Sequence, residues 1–86
     1  QVTAAGRLRY VICNRGTTIL DVRTSGGTLL VLIDDPLAVR IVGGSGNTIG
    51  LRCGAYDVPI RVGYIPAVNA ATKTTGNLRL LDYRQR

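Results

Sequence analysis

A chain of 86 residues makes one domain with room for a modest core. Its apolar fraction of 45% excludes a disordered protein, and its net charge of +6 is carried by arginine with a single lysine. Histidine and glutamate are absent, which excludes Ser-His-Asp and Cys-His catalysis and leaves zinc without a ligand set.

The kind of apolar residue narrows the fold class. Val, Ile, Leu and Ala supply nearly all of it, while Phe, Trp and Met are missing; the aromatics are Tyr10, Tyr56, Tyr64 and Tyr83. A helical protein of this size would use Glu and Lys on its surface, and here Glu is absent and Lys nearly so. The 11 glycines and many threonines suit short strands joined by tight turns.

Gln1–Gly6 is small and polar and reads as an unpatterned arm, either a loose tail or an edge strand for a neighbour. Arg7–Cys13 is the first strand. Leu8, Tyr10 and Ile12 alternate, yet Val11 and Cys13 also look buried. A β-bulge near Arg9 would bring Leu8, Val11 and Cys13 inward together. Asn14-Arg15-Gly16 is a turn into strand two, Thr17–Thr24, with Leu20 and Val22 inward and Asp21 and Arg23 outward. Ser25-Gly26-Gly27 is a hairpin turn. Strand three, Thr28–Ile33, is apolar over Leu29, Leu30, Val31, Leu32 and Ile33, so periodicity does not say which face is buried.

Asp34-Asp35-Pro36 ends that strand, since proline cannot continue a central one. Leu37–Val42 reads as strand four, with Leu37, Val39 and Ile41 on one face and Arg40 on the other. Gly43–Asn47 is a glycine-rich loop, and Thr48–Cys53 a short strand with Ile49, Leu51 and Cys53 in phase. The best-patterned strand follows: Val58, Ile60, Val62 and Tyr64 on one face, Arg61 and Gly63 on the other, with Pro66 as its stop. Ala67–Thr75 has no strand pattern and has room for one helical turn. Gly76–Tyr83 is the last strand, and Arg84-Gln85-Arg86 a basic tail.

Strands at this spacing mean a sandwich or a barrel. Three strands joined by tight turns, an irregular excursion, then two more strands is the order of an OB-fold. The expectation is therefore an all-β, closed or partly open OB-like barrel of six to seven short strands, with the usual helix replaced by a Leu37–Val42 hairpin. The segments GRLRYVIC, LRCG, PIRVGYIP and TGNLRLLDY, with a GG hairpin between the first two, resemble small cysteine-containing domains of exported bacterial proteins of unknown function. The resemblance covers most of Gly6–Tyr83. It implies the barrel and a Cys13–Cys53 bond, and brings no catalytic residues.

Two cysteines allow one intramolecular bond, Cys13–Cys53; the alternative is a pair of free buried thiols, as a cytoplasmic origin would favour. The bond, the even cysteine count and the start at Gln1 together suggest an exported protein, secreted or at the cell surface or periplasm, or a domain cut from a longer chain. No run of residues is long enough to span a bilayer as a helix.

The candidate sites are few. Asp34-Asp35 is the sole acidic pair, and before a proline it reads as a turn. Gly43–Asn47 lacks the Lys-Ser/Thr that ends a phosphate-binding loop. No cofactor or metal is expected. Arg9, Arg23, Arg40, Arg61, Arg84 and Arg86 are candidates for contact with a polyanion such as nucleic acid, against the simpler reading of a solvated basic face. The favoured reading is a non-enzymatic structural or interaction domain whose partner is a protein, first of all another copy of itself. Leu29–Ile33 is then the contact strip, because five consecutive large apolar residues exceed what one barrel face uses.

Overall fold

The computed structural model describes residues 1–43 and 51–84. Among these residues six strands form: β1 (Val2–Asn14), β2 (Thr17–Thr24), β3 (Gly27–Ile33), β4 (Arg40–Val42), β5 (Gly54–Asn69) and β6 (Thr74–Asp82). The connections β1–β2, β2–β3 and β5–β6 are antiparallel hairpins. β1 also pairs antiparallel with β5, and β3 meets β6 in parallel through Val31–Gly76 and Leu32–Asn77. The ring β1-β2-β3-β6-β5 has OB connectivity, with a seam two residue pairs long between β3 and β6. β4 lies parallel to β6 outside the ring. Among the described residues, the excursion between β3 and β5 holds one added strand and a 3-10 turn where a hairpin was expected.

β1 sets the curvature. Its register shifts between Leu8 and Tyr10 against both neighbours: Arg9 is the extra residue of a bulge against β2, and Tyr56 and Asp57 of β5 stand opposite it on the other side. The shift lets Leu8 and Val11 both face inward, where they are fully buried. The core is completed by Leu20, Val22, Val31, Ile60, Val62, Leu78 and Leu81, with Tyr56, Tyr64 and Tyr83 packed around it. Leu20, Val22, Ile60 and Val62 are inward positions expected on the second and central strands; Val58, expected beside them, is half-buried and lies outside the core cluster. The hairpin turns follow from their residues: Arg15 and Gly16 both take positive φ, as the tight turn between twisted strands requires.

Several elements depart from the reading of the sequence, each for a physical reason. Val2–Gly6 is not a free arm. It pairs with Ile60–Tyr64 of β5, and Ala4 packs on the core. Alanine and glycine carry little hydropathy contrast, so the pairing leaves no periodic trace. Gly6 has a steric role as well, since a Cβ there would run into the carbonyl of Arg23 where β2 crosses.

Pro66 does not stop its strand. It pairs with Gly76 beside a register shift, a place where a missing N–H is tolerated. The segment expected to be unpatterned is the end of β5, a turn at 70–73 and the start of β6. Asn69 organises that turn, its Oδ1 accepting from the backbone N–H groups of Ala71 and Thr72.

Leu37 is not in the barrel wall. Pro36–Ala38 forms a 3-10 turn capped by the Asp35 carboxylate, which accepts from the Leu37 N–H at 3.1 Å, and Leu37 is 96% exposed. Val39 and Ile41 do pack against the core. Of the strand expected at Thr48–Cys53, residues 51–53 are irregular and residues 48–50 lie outside the described residues, as does most of the glycine-rich loop.

Candidate functional site

Cys13 and Cys53 are bonded, with 5.8 Å between their Cα atoms. Both are exposed, so the expectation of inward-facing cysteines is corrected. Cys13 keeps the phase of Val11 but stands near the end of its strand, where the inward direction opens to solvent. Cys53 precedes Gly54, which pairs with Val11, so the bond lies beside the last rung of the β1–β5 ladder. The Tyr56 hydroxyl fixes the approach, accepting from the Arg52 N–H and donating to the Arg52 carbonyl.

The five apolar residues of β3 divide by face. Val31 is fully buried, and Leu29 and Ile33 pack against the core. These three cannot serve as an outer contact strip, because strand alternation turns them into the barrel. Leu30 and Leu32 face out, half-buried. Register carries them into a wider surface. Leu32 pairs with Ile19 and Ile19 with Ile12; Leu30 pairs with Asp21 and Asp21 with Tyr10. Ile19 is 8% exposed although it lies outside the core cluster, which means its outer-face neighbours cover it. Tyr10 and Ile12 remain 47% and 40% exposed. An apolar strip therefore crosses β1, β2 and β3 on the outside, with Asp21 set in it.

The candidate arginines scatter. Arg9 is the exposed bulge residue, Arg23 lies across from Arg7 near the end of β2, and Arg40 opens β4. Arg86 lies outside the described residues. Arg61 and Arg84 are the two that converge, both beside Asp82. Other charges have local structural work: Arg7 pairs with Asp57 on the surface, and Arg79 holds Asp34 through two hydrogen bonds of 2.7 and 3.2 Å. With Asp34 in an ion pair and Asp35 capping a turn, the acidic pair is structural.

Asp82 was not singled out by the sequence reading. It is 6% exposed and accepts three hydrogen bonds from Arg84, from the backbone N at 2.9 Å, Nε at 3.0 Å and a terminal nitrogen at 2.8 Å. The signal was the D-x-R spacing on a strand end, which brings the two side chains to one face. The Arg84 side chain, helped by its backbone N–H, holds the Asp82 carboxyl down at about 2. Arg79 lowers Asp34 in the same way.

Between pH about 4 and about 2 the unfolded state binds protons that folded Asp82 refuses, so stability falls as pH drops through that window. Chemical denaturation at pH 7 and at steps down to pH 2 will show the midpoint falling below pH 4. Asp82→Asn will reduce that fall, with the Asp34 contribution remaining.

Among the described residues, no helix is long and apolar enough to cross a membrane. Compared with protein-family models, with curated proteins and with solved structures, the chain matches none.

Proposed function

We propose that this domain is a non-enzymatic structural or interaction module, and that its partner is a second copy of the chain docked on the outer strip of β1, β2 and β3. The observation that carries the reading is Ile19: a residue buried outside the core, between half-exposed Ile12 and Leu32. Exterior apolar side chains gathered in this way mark contact surfaces more often than solvated ones. Charge favours another copy as the occupant. Asp21 is an acidic group in the middle of the strip with no salt bridge among the described residues, while the rest of the chain is basic. A neighbouring copy presents arginine to it. The strip itself is not self-complementary in charge, so the contact is head to tail, and such contacts build arrays or fibres unless they close into rings.

A bond between two exposed cysteines fits an oxidising compartment, which supports a location outside the cytoplasm. Binding of nucleic acid is the competing reading. It is disfavoured on the strip, where the charge is acidic, and the candidate arginines elsewhere are spread over several strands.

Sedimentation velocity over a wide concentration range tests the proposal. The wild type will show concentration-dependent assembly. Leu30→Arg and Ile12→Arg will each weaken it by about thirtyfold or more, the loss expected for a central contact residue, while keeping the wild-type circular dichroism spectrum. A wild type that stays monomeric at its solubility limit overturns the reading, as does a folded Leu30→Arg variant that assembles normally.

A further inference from the structure

On the outside of β1, β5 and β6 the chain forms an open recess of about 490 Å³ lined by Ala5, Gly6, Pro59, Ile60, Arg61, Asp82 and Arg84. That volume lies in the range of small-molecule sites, roughly 300 to 1,000 Å³. Strand register explains the lining. Ala5 pairs with Arg61 and Arg61 with Asp82, so one row across three strands presents a small residue, a guanidinium and a carboxylate.

Arg84 then reaches back over the row. Its Nε and one terminal nitrogen are engaged by Asp82, which leaves the other terminal nitrogen without a protein acceptor among the described residues. Two cations face one carboxylate, and that carboxylate already accepts three hydrogen bonds from Arg84. The recess therefore carries a surplus positive charge, with one guanidinium locked in place and its free edge turned from the carboxylate.

We propose that this recess binds a phosphate-sized oxyanion carried on a small, partly apolar group, the chemistry of a phosphomonoester. Arg61 and the free edge of Arg84 donate to the oxyanion. Ala5, Gly6 and Pro59 leave room for the attached group, with Ile60 beside them. Asp82 is a positioning residue: it holds Arg84 in the receiving orientation, so the entropy of ordering that long side chain is lost before the ligand arrives. The site is separate from the contact strip, which uses β2, β3 and the second half of β1.

The experiment is an amide chemical-shift titration of the intact protein at constant ionic strength, with inorganic phosphate and with phenyl phosphate. Both will give saturable shifts centred on Ala5, Gly6, Arg61 and Arg84, and phenyl phosphate will bind more tightly. Arg61→Gln removes a charged donor that has no ion-pair partner among the described residues, and will weaken binding by about tenfold or more with little change in melting temperature. Arg84→Gln would strip a buried carboxylate of its partner, so it is the less clean variant.

Asp82→Asn separates positioning from bulk charge. Removing a negative charge should tighten phosphate binding if the recess is only an electrostatic well; it will weaken binding if Asp82 orients Arg84. Three results overturn the proposal: shifts that do not saturate, shifts spread alike over all the surface arginines, or an Asp82→Asn variant that binds more tightly.

Discussion

Replacing Cys13 and Cys53 together with serine lowers the unfolding free energy by about 4 kcal/mol, the chain-entropy value for a closed loop of this length. The bond joins residues 40 apart in sequence. Both cysteines are exposed, so serine leaves no cavity, and the loss is that of the cross-link alone. For a domain of this size the change corresponds to a fall in melting temperature of roughly 15 to 30 °C. Urea denaturation of the oxidised protein, the reduced protein and the double variant measures it. The reduced protein and the variant should agree with each other; a loss below about 1 kcal/mol in both would show that the loop is already constrained in the unfolded chain.

Two leucines separate wall from surface. Leu20→Ala will cost about 3 to 5 kcal/mol, because Leu20 is fully buried between Val11 and Val31 and its removal leaves a cavity that neighbouring strands cannot fill. Leu37→Ala will change stability by less than about 0.5 kcal/mol, since Leu37 projects into solvent from the 3-10 turn. The pair is diagnostic because strand alternation from Leu37 through Val39 to Ile41 would bury Leu37 as well. If Leu37→Ala were costly, the 36–38 turn would have to pack differently. Denaturant midpoints at constant slope settle both.

The OB order was legible where side chains alternate strongly and turns are rich in glycine. Leu20 and Val22, Ile60 and Val62, and the Ser25-Gly26-Gly27 turn each carry enough contrast to place a strand or a reversal. Even the bulge at Arg9 could be inferred, because Leu8 and Val11 both demanded burial. What stayed hidden was structure made by backbone pairing alone. Val2–Gly6 joins the sheet with mostly small side chains that show no alternation, and Pro66 continues a strand because the ladder shifts beside it. The five apolar residues of β3 left open which face is buried and whether the other is covered or a contact surface; the buried face depended on β6 closing against Val31. The recess needed a cross-strand row from Ala5 through Arg61 to Asp82, and no local pattern connects those positions.

The ring is assembled from two local pieces, the β1-β2-β3 meander and the β5-β6 hairpin, and they meet at two places far apart in sequence. One meeting is the long β1–β5 ladder; the other is the two-pair seam where β3 passes Gly76. Each asks the chain to surrender loop entropy before any contact compensates for it, which makes such topologies slow to fold. The cystine lies at the head of the first meeting. In the oxidised chain Val11 and Gly54 are held as neighbours from the outset, and the ladder has only to zip outward from them. The seam, short and untethered, is left to form last. Its opening breaks a ladder of two residue pairs, and it uncovers Val31 and with it the centre of the barrel. Exchange of the amides along β3 is accordingly the place where the molecule's slowest closing step becomes visible.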